Sequence, residues 1–556
     1  MSRQSDRVPG VEARAGKFAG PSLIGELHDI QQRLGWLPRE ELEALARHSS
    51  RPLYEIEGLV SFYPHFRTAP PKPVKLDACH DLTCWLADGE TRLAELRGTY
   101  ADDADVELAE VSCLGRCDQA PAAAVNDRPA PVVEVAGRVE DARAGRATAS
   151  SPSARPGPAR WPNDPYPDDD AHHGMLKRLL TGTLDPALVA GTLSDAGLRG
   201  MGGAGFPTGR KWELVAGEPS GPKYVVCNAD ESEPGTFKDR EVMRTQPHLV
   251  LEGLVLGMAV VGAEQGWVFI RHEYGPEEEV LREEIARMRA DGLLGEDVLG
   301  SGRRFDVEIF TSPGGYILGE ETAMLECMEG HRGEPRNKPP FPGTYGLWGR
   351  PTLINSVETL AHVPVILDRG AAWWREQGVN GGAGLKFFAV SGHVERPGVY
   401  CVPMGTTVRT LLDTAGGVAG GGALAAVQPG GASSNFLGPD QLDVPLDFDP
   451  LAEAGTMLGS GALVVMGEGT DLLDAAVNVL RFFRDESCGK CVPCRVGSAK
   501  AHQMLTDARA DGGALGAEGE AHITELEQVL RKTSICGLGQ VALGPVTSVL
   551  KMHRAR

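Results

Sequence analysis

The chain has 556 residues, 76 of them acidic and 55 basic, which gives a formal net charge of −21. Because nucleic acids bind basic surfaces, this charge argues against a nucleic-acid-binding protein. With 42% hydrophobic residues the chain can bury sizeable cores, and at ~100–200 residues per domain its length predicts about three to five domains. Its 11 cysteines are too few for a disulfide scaffold, so we expect a reducing compartment.

We find no targeting or membrane segment in the sequence. The N-terminal segment lacks an apolar core of the length that a signal peptide needs. The longest apolar stretch, 253–263, is too short to span a bilayer. We therefore expect a cytoplasmic protein that does not insert into a membrane.

The first 170 residues divide into three regions. Residues 22–70 carry apolar side chains at helical spacing, interrupted at Pro38, and predict a small helical bundle. From Val74 the pattern becomes short and alternating around one helix-like segment, which predicts a compact α/β module over residues 71–142. Residues 143–170 are rich in Ala, Ser, Pro and Asp and lack apolar periodicity, so we interpret them as a linker.

Three further regions follow the linker. Residues 171–385 form a glycine-rich α/β region. Its strand candidates are the apolar segments 224–227, 267–271 and 305–310. Residues 386–465 begin with a β-rich segment, and residues 466–556 predict helices around a cysteine cluster. The sequence thus predicts a multidomain α/β protein.

Four cysteines of the α/β module form two short pairs, C-x4-C and C-x3-C. This first cysteine group consists of Cys79, Cys84, Cys113 and Cys117. Two pairs brought together by a fold can hold a [2Fe-2S] cluster, each pair binding one iron. A four-cysteine zinc site also uses two pairs, although C-x2-C is its commoner spacing. The spacing favours the iron-sulfur cluster, with zinc or free thiols as the alternative.

A second cysteine group near the C-terminus has the pattern C-x2-C-x2-C with a distant fourth member. It consists of Cys488, Cys491, Cys494 and Cys536. Three thiolates at this spacing wrap one face of a [4Fe-4S] cluster and a remote cysteine closes the last corner, whereas zinc usually takes two separate pairs. Cys536 lies in SICGLG, where glycines let the backbone approach a bulky cofactor and offer N–H donors to its sulfurs. We predict a [4Fe-4S] cluster here.

A glycine-rich loop lies near residue 200. Its G-x-G-x-x-G motif is formed by Gly200, Gly202, Gly203 and Gly205. The residues before it predict helices, not the strand that a conventional dinucleotide-binding fold requires. Its amides can still approach an anion closely, and Arg199 and Lys211 supply positive charge, so the loop suits a phosphate. A purely structural turn is the alternative.

An acidic loop directly follows the strand candidate 224–227. Its polar residues are Asn228, Asp230, Glu231, Ser232 and Glu233. At the C-terminal end of a strand such groups can accept hydrogen bonds from ribityl and ribose hydroxyls. A solvated turn is the alternative. A third cluster, with Tyr316, Gly319, Glu320 and Glu321, leads into a predicted helix.

These segments, in this order, resemble the flavin subunit of respiratory complex I and its soluble diaphorase relatives. The matching text is RGMGGAGFPTGRKW, NADESEPGTFKDR, GGYILGEETAMLE, RGEPRNKPPFPGTYGLWGRPTLINSVETLA, ESCGKCVPCRVG and SICGLG, over residues 171–556. The part with the first cysteine group resembles the small [2Fe-2S] subunit that accompanies that flavoprotein. The resemblance implies that the two are fused in this chain.

The resemblance implies a fold for each region. Residues 22–70 would be a helical bundle and 71–142 a thioredoxin-like [2Fe-2S] domain. After the linker, residues 171–385 would be a Rossmann-like domain that binds FMN and NADH, residues 386–465 a ubiquitin-like SLBB domain, and residues 466–556 a four-helix [4Fe-4S] domain.

The resemblance also assigns site residues. It places in the FMN pocket Gly200, Gly202, Gly203, Lys211, Asn228, Asp230, Ser232, Tyr316, Gly319, Glu320, Ile354, Asn355 and Ser356. It assigns to the nicotinamide nucleotide Phe206, Glu233, Glu321, Lys338 and Phe341, and we add Glu231 as a further cofactor-binding candidate. Three positions depart from the family pattern, because Met201, Leu318 and Ser356 stand where relatives often have Arg, Cys and Asn.

The implied function is that of an NAD-dependent oxidoreductase. A nicotinamide exchanges a hydride while iron-sulfur clusters exchange single electrons, and FMN does both. We therefore expect a diaphorase subunit that passes electrons between NAD(H), FMN and the two clusters, without a catalytic acid or base. A non-catalytic, zinc-stabilised interaction protein is the alternative from another class.

The fused arrangement looks most like the β subunit of NAD-dependent formate dehydrogenases. That resemblance implies a partner, a large α subunit that holds molybdenum or tungsten and iron-sulfur clusters. The alternatives are the NADH-oxidising subunit of complex I and the diaphorase subunit of an NAD-reducing hydrogenase. Because the chain has no recognisable ligand set for molybdenum, tungsten, nickel or quinone, we expect electrons to enter from, or leave to, another subunit.

Overall fold

The structure is a computed structural model that describes residues 22–146, 151, 157–158, 160–219, 221–510 and 515–555. This part of the chain holds three four-stranded sheets with helices packed around them and a helical C-terminal region. The predicted multidomain α/β fold is confirmed. The N-terminal segment, where we expect no signal peptide, and linker residues 147–150, 152–156 and 159 lie outside the described residues.

Three helices begin the described chain. They are α1 (Leu23–Leu34), α2 (Arg39–Ser49) and α3 (Leu53–Val60). Helix α1 ends where Gly35 takes a left-handed conformation, and Pro38 precedes α2 as its N-cap. Their apolar core continues into the central domain. Just after α3, the Tyr63 hydroxyl donates to the carbonyl of His331 at 2.5 Å, so this bundle is anchored to the domain beneath it.

The predicted thioredoxin-like domain follows. Its elements are β1 (Val74–Cys79), α4 (Leu82–Leu86), α5 (Gly89–Tyr100), β2 (Val106–Val111), β3 (Ala122–Val125), β4 (Arg128–Pro131) and α6 (Val135–Arg143). The strand order is β2-β1-β3-β4, with β1 parallel to β2 and antiparallel to β3. The ends of β1 and β2 and the start of β3 therefore share one edge of the sheet. All four cysteines of the first group lie at that edge.

The end of the predicted linker is packed. Trp161 is buried, its indole N–H donates to Thr245 Oγ1 at 2.9 Å, and its ring meets that of Phe387 edge to face. The hydroxyl of Tyr166 donates to the buried carboxylate of Glu252 at 2.8 Å. These residues thus belong to the packed central part of the protein.

The central domain surrounds a parallel sheet. Its helices are α7 (Gly174–Leu180), α8 (Pro186–Ala196), α9 (Thr208–Ala216), α10 (Lys238–Thr245), α11 (Pro247–Val261), α12 (Gly275–Ala290), α13 (Glu321–Met328) and α14 (Val357–Glu376). Its strands are β5 (Tyr224–Ala229), β6 (Gln265–Arg271), β7 (Asp306–Ser312) and β8 (Thr352–Ser356). The three predicted strands correspond to β5, β6 and β7.

The strand order β7-β6-β5-β8 places a topological switch point between β5 and β8. From β5 the chain adds β6 and then β7 on one side, and it returns to add β8 on the other. In open α/β sheets, ligands bind in the crevice at the carboxyl ends of the strands that flank such a point. The acidic loop leaves β5 at this position.

The next domain contains β9 (Leu385–Gly392), β10 (Gly398–Pro403), α15 (Val408–Thr414), β11 (Leu424–Gln428), α16 (Phe448–Glu453) and β12 (Ala462–Gly467). Its strand order is β10-β9-β12-β11, with a parallel central pair and antiparallel outer pairs. Lys386 of β9 and Lys238 of α10 both bind the carboxylate of Glu358, at 2.9 and 2.8 Å. These fully buried groups join this SLBB domain to the central domain.

The C-terminal helical domain consists of α17 (Leu472–Asp485), α18 (Val492–Ala510), α19 (Gly516–Thr533), α20 (Gly537–Val541) and α21 (Gly544–Ala555). From α17, Asn478 and Arg481 donate to the carbonyl of His80 at 3.1 and 2.6 Å. The helix therefore also contacts the thioredoxin-like domain. Among the described residues, no helix is both long and apolar enough to cross a membrane.

Buried ion pairs join the thioredoxin-like domain to the central domain. The guanidinium of Arg240 contacts both carboxylate oxygens of Asp118 at 3.0 Å. Arg116 and Glu277 form a second two-pronged pair at 3.1 Å. These side chains are at most 4% exposed. Removing one member of such a pair leaves the other charge buried with less compensation, which is strongly destabilising.

We predict that Asp118→Asn destabilises the protein by about 3 kcal/mol, because it removes the carboxylate charge that contacts both terminal nitrogens of the buried Arg240. Thermal unfolding of the full chain, followed by circular dichroism, measures the effect. The matched control is Asp443→Asn, which breaks a surface pair with Arg409 and should change the melting temperature little. Equal melting temperatures for the two variants would contradict the role given to the buried pair.

Candidate functional site

A cleft of about 590 Å³ opens at the carboxyl ends of β5 and β8, at the switch point of the central sheet. Eighteen of the predicted cofactor-binding residues line it. They are Gly200, Gly202, Gly203, Phe206, Lys211, Asn228, Asp230, Glu231, Ser232, Glu233, Tyr316, Gly319, Glu320, Glu321, Lys338, Ile354, Asn355 and Ser356. Phe341 is not among the lining residues, and it is 60% exposed.

The glycine loop forms one wall of the cleft. A hydrogen bond from the Gly200 N–H to the Phe206 carbonyl at 2.8 Å closes the loop on itself. Gly203 has φ 123°, a left-handed conformation that favours glycine. The Met201 N–H donates to Thr359 Oγ1 at 2.9 Å, which ties the loop to the start of α14. The glycines of the loop thus form a fixed part of the wall at which an anion can approach the backbone N–H groups.

The three departures from the family pattern occupy different places. Met201 and Leu318 are buried, and neither lines the cleft. Ser356 lines the cleft, and its hydroxyl lies 2.9 Å from that of Thr359. Only the third departure therefore exposes its side chain to a ligand in the cleft.

Lys211 provides a cation beside the glycine loop. Its Nζ donates to the Ile354 carbonyl at 3.0 Å, at the end of β8. Burial lowers the pKa of Lys211, while the carboxylate of Glu321 opposes that shift. The neighbouring Trp212 donates its indole N–H to Asn355 at 3.0 Å, which fixes the amide orientation. A backbone carbonyl therefore holds Lys211 at the cleft, and its ammonium group has further N–H donors for a ligand.

Asp230 carries an acceptor without a partner. Burial raises its pKa to about 8, and its Oδ1 has no hydrogen-bond partner among the described residues. Nearby, the Asn228 amide donates to the Gly319 carbonyl at 2.9 Å. Buried polar atoms are nearly always hydrogen-bonded, so the free oxygen of Asp230 fits a ligand hydroxyl. This is the arrangement that the ribityl chain of a flavin would complete.

Glu231 and Glu233 hold the acidic loop through their carboxylates. Glu231 accepts hydrogen bonds from the N–H groups of Asp239 and Arg240 at 2.8 and 3.0 Å, at the start of α10. Burial raises the pKa of Glu231 to about 7. Glu233 accepts from the Ser433 N–H at 2.8 Å and from the Ser460 hydroxyl at 2.8 Å.

Ser433 and Ser460 are site residues that our sequence interpretation did not include. Both line the cleft, and both come from the SLBB domain. They stand 200 and 227 positions from Glu233 in the chain, and no motif marks them. The SLBB domain thus completes the cleft and is not a separate module.

A second wall of the cleft combines acids with one lysine. Lys338 Nζ contacts Glu320 at 2.8 Å and Glu321 at 3.1 Å. Glu320 is also the N-cap of α13, where its carboxylate accepts from two backbone N–H groups. The Tyr316 N–H donates to Glu486 at 2.8 Å, which links this wall to the segment before the second cysteine group.

The first cysteine group is buried between domains. The sulfurs of Cys113 and Cys117 lie 3.5 Å apart and pack beside Phe237, which follows the acidic loop. The Gly115 N–H points at Cys113 Sγ and the Ala122 N–H at Cys84 Sγ, each at 3.4 Å. Backbone N–H groups aimed at sulfurs stabilise the negative charge of cluster ligands.

The second cysteine group borders the cleft. Cys536 is among its lining residues and caps α20. A Cβ on Gly539 would lie 2.9 Å from the Cβ of Cys494 and 2.5 Å from the hydroxyl of Ser534, so only glycine fits there. Gly539 of SICGLG thus packs directly against Cys494 of the second cysteine group.

The distances between the cysteine sulfurs can be compared with those that a single zinc ion requires. Zn–S bonds of ~2.3 Å in a tetrahedron place the four sulfurs ~3.8 Å apart. Among the residues that the structure describes, no three cysteine sulfurs lie within 4.8 Å of one another. No three of the described cysteine sulfurs are therefore gathered at the spacing that a single zinc ion requires.

Two sets of side chains of types that bind metals lie apart from the cysteines, and one of them contains two histidines. Ligand atoms of Asp164, His172 and His248 fall within 4.8 Å of one another. The two imidazole rings are parallel, with centroids 3.6 Å apart. Because imidazole lone pairs lie in the ring plane, two parallel stacked rings cannot both point at one ion. We therefore interpret this set as packing.

Family models match four parts of the chain. They are the Nuo51 FMN-binding domain at residues 193–365, the thioredoxin-like [2Fe-2S] ferredoxin at 16–142, the SLBB domain at 387–435, and the NADH-ubiquinone oxidoreductase-F iron-sulfur binding region at 474–556. The predicted cofactors FMN, [2Fe-2S] and [4Fe-4S] are confirmed by these matches.

Curated relatives cover the larger part of the chain. The second F subunit of the NADH-quinone oxidoreductase of Rhizobium meliloti is 43% identical over 394 residues, which are 70% of this chain and 92% of the relative. The HndC subunit of the NADP-reducing hydrogenase of Solidesulfovibrio fructosivorans is 41% identical over 393 residues, 70% of this chain and 79% of the relative.

A solved structure matches nearly the whole chain. It is the NAD+-reducing [NiFe]-hydrogenase in the H2-reduced state, with a TM-score of 0.86 and 31% sequence identity. The match covers 96% of this chain and 92% of the hydrogenase chain, so it includes the fused N-terminal region.

We predict that Cys113→Ser abolishes the [2Fe-2S] EPR signal of the reduced protein and leaves the [4Fe-4S] signal, while Cys491→Ser does the reverse. The reason is that the two groups lie in separate domains and share no ligand. The control Cys401→Ser, on β10, should keep both signals. Loss of both signals in either ligand variant, or stoichiometric zinc in the parent protein, would refute the assignment.

Proposed function

We propose that this chain, which belongs to the family of NADH-quinone oxidoreductase F subunits, is the NAD(H)-reacting subunit of an oxidoreductase whose other substrate binds to another polypeptide. The chain is a subunit of NAD-dependent oxidoreductase type that transfers electrons through FMN and iron-sulfur clusters. One observation carries the proposal. The cleft lies between the two cysteine groups, because Cys536 lines it and the Cys113–Cys117 loop packs beside Phe237, next to its acidic loop.

We assign the cleft residues to two ligands. The glycine loop and Lys211 would hold the flavin phosphate, and Asp230 with its free acceptor would bind the ribityl hydroxyls. Phe206 and Lys338, at the exposed side of the cleft, would contact the nicotinamide nucleotide. Glu233 is assigned to the same nucleotide, and the Ser433 and Ser460 contacts support that assignment by fixing its carboxylate.

The proposed reaction depends on the orientation of the nicotinamide and the flavin more than on acid or base catalysis. FMN, when bound here, would supply both two-electron exchange with a nicotinamide and one-electron exchange with clusters. The residues of this chain would hold the nicotinamide against the flavin and keep Lys211 and the carboxylates at fixed positions around it. The thiolates of both groups would hold the clusters that receive or supply those electrons.

We further propose that the partner is a molybdenum- or tungsten-containing α subunit of a formate dehydrogenase. The support is the resemblance of the fused arrangement, its compact length and the segment FKDREVM after the acidic loop. In this scheme NAD+ would be reduced with electrons that come from formate on the partner subunit. The C-terminal helical domain would be the docking side.

An NAD-reducing hydrogenase is the second candidate. The observation in its favour is the match of the solved hydrogenase structure over 96% of this chain. The partner would then be a nickel-containing subunit, and the same cleft would react with NAD(H).

The test is purification of the chain with its native partners. We predict that the complex contains molybdenum or tungsten and reduces NAD+ with formate. The isolated chain should still oxidise NADH with an artificial acceptor but lose the formate reaction, because only the hydride site lies on this polypeptide. Metal analysis, mass spectrometry and both assays give the answer.

The outcomes test the identity of the partner subunit and the assignment of the hydride site separately. Recovery of a nickel subunit and NAD+ reduction with hydrogen would replace the formate dehydrogenase assignment by the hydrogenase assignment. An isolated, flavin-loaded chain that does not oxidise NADH would refute the assignment of the hydride site itself.

A further inference from the structure

Arg271 connects the flavin cleft to the first cysteine group. It is the last residue of β6 and is 2% exposed. Its Nη1 donates to the carbonyl of Glu231 at 2.6 Å, and its Nη2 donates to the carbonyl of Cys113 at 2.6 Å. One guanidinium therefore contacts both the acidic loop of the cleft and the backbone of a proposed cluster ligand.

The charge of Arg271 is kept in this buried place by one carboxylate. Glu273 contacts it at 2.9 Å through both Nε and Nη2. Burial lowers the pKa of Arg271, but the Glu273 charge outweighs this and raises it well above its ordinary value. Burial likewise opposes ionisation of Glu273, yet Arg271 holds its pKa far below the usual range. The two form a stable ion pair.

The surroundings of Arg271 are acidic on the cleft side. Asp230 and Glu233 are buried there, and Glu486 is half-buried. Adding an electron to a cluster beside these groups increases negative charge in a region of low dielectric. Cluster potentials depend on net charge, hydrogen bonding and exposure, so a fixed cation at Cys113 favours the reduced form.

We infer that Arg271 is a positioning residue that fixes the Cys113 ligand and raises the reduction potential of the [2Fe-2S] cluster. The inference rests on the proposed [2Fe-2S] site at Cys79, Cys84, Cys113 and Cys117. The step it affects is a one-electron reduction of the cluster, in which the guanidinium keeps its proton. Glu273 acts in the opposite direction, because it partly neutralises the guanidinium.

The test is an EPR-monitored redox titration of the full-length protein. Arg271→Gln should lower the midpoint potential of the [2Fe-2S] signal, because it removes the cation. Glu273→Gln should raise it, because it removes the counter-charge and leaves the cation. Arg289→Gln is the matched control, since Arg289 pairs with Asp306 at the surface, and it should leave the midpoint unchanged. The [4Fe-4S] signal of each sample is the internal reference.

Shifts of opposite sign support the inference, since a general loosening of the site would move both variants in the same direction. Unchanged midpoints, or shifts of the same sign, would overturn it. If Arg271→Gln assembles no cluster, two other variants test the inference. Glu273→Gln should raise the midpoint potential, and the charge-conserving Arg271→Lys should keep it near the parental value. Absence of any [2Fe-2S] signal in the parent protein would overturn the cluster site itself, a result distinguishable from unshifted midpoints.

Discussion

The burial of positive charge where the thioredoxin-like domain meets the central domain is the constraint on which the site depends. Arg116, Arg240 and Arg271 are all withdrawn from water at this junction. Withdrawing a cation costs several kcal/mol unless a carboxylate and further acceptors compensate it. Each of the three meets a carboxylate, and two of them also bind carbonyls of the segment between Cys113 and Cys117. Two of the ion pairs and both carbonyl contacts cross the junction, so they hold the two domains in this relative position.

The junction between the thioredoxin-like and central domains determines how the groups of the redox site are arranged around the cleft. It holds one cysteine group against the acidic loop, while the C-terminal helices bring Cys536 to the other side of the same cleft. The SLBB domain closes the cleft through two serines and anchors the central domain through the buried Glu358 pairs. Domains that are far apart in the chain thus contribute to one cavity, with one cysteine group at its border and the other beside its acidic loop.

The sequence predicted the local features of this site and missed the long-range ones. Both cysteine groups, the glycine loop and the acidic loop were visible because each motif is contiguous or closely spaced. The parallel strands β5, β6 and β7 were visible as short apolar runs, whereas the position of β8 beside β5 depends on chain topology. Ser433 and Ser460 were missed because no sequence motif around them indicates a contact with Glu233. Trp161 and Tyr166 were assigned to a linker because the composition around them is polar, although both pack into the core.

The central claim is that one polypeptide carries a two-electron flavin and two one-electron clusters around a single cleft. Anaerobic titration of the purified full-length chain with dithionite, followed by absorbance, counts these acceptors directly. The account predicts about four electron equivalents per chain, two for FMN and one for each cluster. About two equivalents, together with bound zinc in place of iron, would contradict it.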